Sequence, residues 1–124
     1  MTPAKKRILC IAYDVVVLRT REMLLEYAGF KVTTAVGFAE AMEHCQNAKF
    51  DLIVMGHPVP HKDMSALVGA LRSMHCDAPV LSVRRHYDPP LPEADFSVEL
   101  DDGPLAFVAA VKSAVTRKAR PSPN

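Results

Sequence analysis

The sequence predicts an α/β domain, a doubly wound parallel sheet covered by helices on both faces, and three observations carry that reading. Short apolar runs without polar alternation recur along the chain, as in strands buried on both faces of a parallel sheet. Segments of helical period lie between them, which implies right-handed crossovers. At 124 residues the chain is the size of one ordinary domain and long enough to bury a core without disulfides or a structural metal.

Ile8 to Ala12 is the first apolar run. Leu52 to Met55 repeats the pattern, and Val80 to Val83 does so after Pro79. Val32 to Ala35 is shorter and more polar, as befits an edge strand, and Phe96 to Leu100 completes five. The first helix is read from Val17, Leu18, Leu24, Leu25 and Ala28, which recur at helical spacing and close with Gly29 as a C-terminal signal. Ala39 to Ala48 and Met64 to Met74 form the second and third helices, with Asp63 the expected N-cap of the third. Pro104, after Asp102 and Gly103, opens the last helix, which is expected to run to about Lys118. Between the fourth and fifth strands stand Pro89, Pro90 and Pro92. Proline in a helix interior removes a hydrogen bond and clashes with the preceding turn, so a helix here is shortened or absent. Residues 1–118 are read as one domain and 119–124 as a disordered tail.

Composition narrows the function classes. A formal charge of +1, with 23% charged and 49% hydrophobic residues, offers no broad field for nucleic acid or membrane. The basic clusters Lys5, Lys6, Arg7 and Arg117, Lys118, Arg120 read as solvated ends. No apolar run reaches membrane-spanning length, and Asp14 interrupts the weak signal-peptide likeness of the start. Cys10, Cys45 and Cys76 are odd in number and lack CxxC spacing, which fits reduced thiols and a cytoplasmic location; a redox role for Cys76 is the lesser reading. GxGxxG, P-loop and GxSxG motifs are missing, so neither a cofactor nor an enzymatic activity is expected.

The stretches KKRILCIAYD, EYAGFKVTTA, FDLIVMGHPVP, HCDAPVLSV and EADFSVELDDGP together resemble the receiver domain of bacterial response regulators over almost the whole chain. That resemblance implies a flavodoxin-like sheet of order 2-1-3-4-5 with its active site at the carboxyl edge, where the strand order reverses. It also implies a place in two-component phosphorelay signalling. Family chemistry needs an acceptor aspartate, an acidic pair for magnesium, a hydroxyl after the fourth strand and a lysine after the fifth, because cation and lysine stabilise an in-line phosphoryl transfer.

Aligned through the strands, those positions fall on residues that cannot do this work. The acidic pair becomes Ala12 and Tyr13, with Asp14 the one acidic neighbour, and the acceptor becomes Gly56. The hydroxyl position is Arg84 and the lysine is Leu100, followed by Asp101; the aromatic switch position is Ser97, beside Phe96. Asp51 is no substitute acceptor, since five residues of strand put it about 16 Å from the active edge. The expectation is a pseudo-receiver that recognises proteins without phosphorylation.

Two further expectations concern the altered pocket. Arg84, with Arg85 and His86 beside it, would fill the space left by Gly56 and pair with Asp14, locking one conformation. The alternative is a sensor of a small anion, held by Arg84, or of a metal. His57, His61, His86 and Asp14 could converge, but Pro58 and Pro60 keep the first two histidines off a regular helical turn, so no metal ligand set is assigned.

Two surfaces are expected to bind protein partners. Val16, Met23 and Tyr27 share a stripe of the first helix opposite Val17, Leu24 and Ala28. In receiver domains the corresponding helix docks on a histidine kinase's phosphotransfer domain, so a kinase or another signalling protein is the implied partner. The last helix carries Leu105, Ala106, Ala109 and Ala110 beyond its core positions Phe107, Val108 and Val111. That face is expected to pair with a second copy unless the proline-rich loop folds over it.

Overall fold

The computed structural model describes residues 5–57 and 59–117. Its strands are β1 (Arg7–Ala12), β2 (Lys31–Val36), β3 (Leu52–Gly56), β4 (Val80–Arg84) and β5 (Phe96–Glu99). All pair in parallel, in the order β2-β1-β3-β4-β5. The helices are α1 (Val15–Tyr27), α2 (Gly37–Asn47), α3 (His61–Ser73) and α4 (Gly103–Arg117). α1 packs beside α4, and α2 beside α3. The strand order reverses between β1 and β3, which opens a crevice beyond their carboxyl ends.

The sequence pattern of each strand follows its place. β1, β3 and β4 lie inside the sheet, and Ile8 to Ala12, Leu52 to Met55, and Val80 to Val83 are buried. At the edges, β2 and β5 are mostly half-exposed, which matches their polar residues. Gly29 ends α1 as its pattern requires. At a φ of +102°, its N–H donates to the Glu26 carbonyl while Phe30 N–H reaches Leu25, the paired bonds of a Schellman motif. Between Arg84 and Phe96 no helix forms among the described residues. The proline-rich loop there is tied to α3 instead: His61 Nε2 lies 3.1 Å from the Pro90 carbonyl, and Ser65 Oγ donates to Glu93 at 3.2 Å.

Several sequence expectations need correction. β5 stops at Glu99, where its pairing with Arg84 of β4 ends, and Leu100 begins a 3₁₀ turn (Leu100–Asp102). α3 begins at His61 with Pro60, not Asp63, as its N-cap. Pro60 sets the turn and its carbonyl takes the amides of Asp63 and Met64, so Asp63 falls in the first turn. On α1 the buried line is Leu18, Arg21 and Leu25, one residue round from Val17 and Leu24, which are only half-buried. The last helix reaches Arg117; Lys118 and the tail 119–124 lie outside the described residues, as do Met1 to Ala4 and Pro58. Among the described residues no helix is long and apolar enough to cross a membrane.

Candidate functional site at the carboxyl edge

Gly56 closes β3 at the crevice and is paired in register with Val83 of β4. Its φ of +149° is one that side-chain-bearing residues rarely adopt. A Cβ built on Gly56 would lie 2.0 Å from the Val83 carbonyl oxygen and 2.6 Å from its nitrogen. The space expected to be free above Gly56 is therefore occupied by the backbone of β4. The next residue seals the junction, with His57 N–H donating to Val83 O at 2.8 Å.

Ala12 is buried at the end of β1, while Tyr13 and Asp14 form the turn into α1. Asp14 is the N-cap, its Oδ1 accepting from the amides of Val16 at 2.8 Å and Val17 at 3.3 Å. A cap satisfies amides that the first helical turn leaves without partners, and this carboxylate is engaged in that role. Across the crevice the Tyr13 hydroxyl donates to Asp63 Oδ2 at 3.0 Å. Burial and this hydrogen bond to a carboxylate push the Tyr13 phenol above its usual value of 10.0. A hydrogen bond thus spans from the loop after β1 to the first turn of α3.

The proposed pairing of Arg84 with Asp14 is not made. Arg84 Nη2 donates to the Asp88 carbonyl, because the chain turns immediately after β4 and brings Asp88 back over it. Arg84 Nε is buried with no hydrogen-bond partner. Arg85 pairs with the same residue, Nη2 reaching Asp88 Oδ1 at 2.9 Å, and its amide donates to Oδ2 at 2.8 Å. Its guanidinium also lies 4.7 Å from the centre of the Tyr87 ring. These bonds to Arg85, side chain first and amide second, hold the Asp88 carboxyl below its usual 3.8. His86 Nδ1 lies 3.0 Å from Glu99 Oε1. His57, His61, Arg84, Arg85 and Asp88 line a cleft of about 430 Å³ that Asp14 does not reach. Among the described residues no three histidine, cysteine or acidic side chains gather as a metal would need.

Leu100 heads its 3₁₀ turn partly exposed, and Asp101 follows it at the surface. Ser97 is exposed on β5 while Phe96 packs on the core. Asp51 lies just before β3 at the opposite end of the sheet, where its Oδ2 accepts the Arg7 amide at 2.7 Å.

One site residue escaped sequence reasoning. Arg21 is 5% exposed and donates from Nη2 to the His57 carbonyl at 2.7 Å, pinning the loop that follows Gly56. Burial lowers its pKa from the usual 12.5, and Nη1 has no hydrogen-bond partner. The signal was positional, since Arg21 stands three residues after Leu18 and four before Leu25.

Both expected apolar surfaces are present. On α1, Val16, Met23 and Tyr27 are 73%, 64% and 96% exposed. On α4, Leu105 is 86% exposed, and Ala109 is open while Ala106 and Ala110 are half-buried. The proline-rich loop does not cover Leu105.

No family model matches the chain. It is 38% identical over 84 residues to the transcriptional regulatory protein PrrA of Mycobacterium leprae (strain TN), covering 66% of this chain and 36% of that protein. PrrA of Mycobacterium tuberculosis (strain ATCC 25618 / H37Rv) gives 39% over the same length, again 66% and 36%. The chain thus spans about a third of the length of the curated relatives it matches. Among solved structures, the CheY-like response regulator receiver domain protein from Methanospirillum hungatei JF-1 superposes with a TM-score of 0.79 at 18% identity, covering 92% of this chain and 96% of that one. Chemotaxis protein CheY4 of Vibrio cholerae gives 0.77 at 20% identity, covering 89% and 98%. The chain thus has the CheY-like, flavodoxin-like fold.

Proposed function

We propose that this receiver-fold chain serves a two-component signalling pathway by binding proteins in one fixed conformation, without taking a phosphoryl group. The observation that carries the reading is the closure at Gly56, where β4 backbone stands in the place a side chain would begin. The surrounding groups agree with it. Asp14 is engaged in capping, Tyr13 and Asp63 bridge the crevice through a hydrogen bond, and Arg84 is turned toward Asp88. Phosphoryl transfer depends on a positioned nucleophile and on cations that neutralise developing charge; here the acceptor position is Gly56, without a side chain, and Arg84 and Arg85 are both engaged by Asp88.

Protein recognition is assigned to the exposed stripe Val16, Met23 and Tyr27 of α1, with the helical phosphotransfer domain of a histidine kinase as the partner class. A second copy of the chain is assigned to the α4 face around Leu105. The experiment is an amide NMR titration with beryllium fluoride and magnesium, then with a histidine phosphotransfer domain. The reading requires no shifts around Gly56 in the first and shifts confined to α1 in the second. Saturable shifts around Asp14 or Asp63 with beryllium fluoride would refute it.

A second reading rests on Arg84 Nε, buried without a partner beside the cleft of His57, His61 and Arg85. It makes the cleft a site for a small anion. Calorimetry with phosphate and sulfate separates the two, because only this reading requires heat that disappears in Arg84→Met.

A further inference from the structure

The carboxyl edge of the sheet leaves the opposite edge unexplained. There, an open groove of about 940 Å³ runs between the end of α2 and the segment leading into β4, and Cys45 and Cys76 both line it. Their sulfurs stand 3.5 Å apart although the residues are 31 positions apart in sequence. The cysteines are half-buried, whereas Cys10 is fully buried in β1.

The pairing is built rather than incidental. α3 ends in a Schellman turn in which His75 takes the left-handed position, with a φ of 64°. There the His75 N–H donates to Arg72 O and the Cys76 N–H donates to Leu71 O at 2.9 Å. Arg72 Nη1 then holds the Cys76 carbonyl at 2.8 Å and the Ala78 carbonyl at 2.7 Å. Cys76 is thereby fixed from both sides, facing the last turn of α2 that carries Cys45.

We propose that Cys45 and Cys76 form a reversible disulfide in this chain, with a small-molecule disulfide such as oxidised glutathione as the oxidant. The Cys76 thiolate attacks one sulfur of the oxidant, forming a mixed disulfide and expelling one glutathione thiolate. Cys45, after giving up its proton to solvent, attacks Cys76 Sγ; the Sγ–Sγ bond forms and the second glutathione thiolate leaves. Two protein thiols are oxidised, and one glutathione disulfide becomes two glutathione thiols. The sulfurs must close from 3.5 Å to about 2.0 Å, within reach of χ1 adjustments on a helix end. Burial and the facing thiol push the Cys45 thiol up to about 12, which makes the exchange slow.

Bond formation ties α2 to α3 through the Schellman turn. It leaves the carboxyl edge untouched, and the closed loop restricts the unfolded chain. The full chain is incubated with oxidised glutathione and analysed by peptide mapping without reduction and by thermal unfolding. The expected results are loss of two hydrogens, a Cys45–Cys76 linked peptide with Cys10 unmodified, and a thermal midpoint raised by roughly 10 °C that dithiothreitol reverses. Cys45→Ala and Cys76→Ala should each fold and each lose the rise. A persistent glutathione adduct on either cysteine, chains linked to one another, or a linked chain of lower midpoint would overturn the proposal.

Discussion

Gly56 and Val83 approach so closely that a Cβ on Gly56 would sit 2.0 Å from the Val83 carbonyl oxygen. Restoring an acidic acceptor therefore collides with the main chain of β4 as well as with an unfavourable φ. Gly56→Asp is expected to cost about 3 kcal/mol or more, measured by urea unfolding, and to leave the chain unphosphorylated. Gly56→Ala should cost a comparable amount, since the first side-chain atom makes the clash. A Gly56→Asp variant as stable as the parent would show that β4 yields at this point.

Met23→Glu with Tyr27→Glu addresses the α1 surface. Both side chains are largely exposed, so stability should change by no more than about 0.5 kcal/mol. Binding to a phosphotransfer domain, followed by calorimetry, should disappear. A large fall in thermal midpoint would place these residues in the core and contradict their exposure.

The α4 face makes its own claim. Leu105 projects from a helix that carries no charged residue from Pro104 to Val111, and a helix apolar all round is normally covered. Sedimentation at high micromolar concentration should show a dimer, and Leu105→Glu should return it to monomer. A parent chain that stays monomeric there would remove this surface from the account.

Much of the fold was legible because burial on both faces leaves no alternation in Ile8 to Ala12 or Leu52 to Met55, and because Gly29, Pro104 and the prolines of 89–92 punctuate the helices. The exposed stripe of α1 could be read from spacing alone. Most of what escaped depends on pairings distant in sequence. The conflict at Gly56 follows from its register with Val83, which no local pattern encodes. Arg84 bonds Asp88 rather than Asp14 because a turn four residues long outcompetes a partner held by its own helix cap. Arg21 reads as a surface charge until its carbonyl partner at His57 is in place. Cys45 and Cys76 meet only once α2 and α3 are packed.

Acid titration examines the Arg85–Asp88 turn. The folded pKa of Asp88 lies below its unfolded value of 3.8, so the stabilisation is fully present above that value and is lost as pH falls through the lower folded one. An NMR titration of the Asp88 carboxyl should give a midpoint under 3.8, returning toward it in Arg85→Gln. An unchanged midpoint in that variant would mean Arg85 does not hold the turn in solution.

The most direct measurement incubates the chain with acetyl phosphate and magnesium beside an active receiver domain, then seeks an acid-labile adduct by intact mass and peptide mapping. The expected result is no adduct on this chain while the control is phosphorylated. A stoichiometric acyl phosphate on Asp14 or Asp63 would contradict the claim that this receiver fold works without phosphoryl transfer.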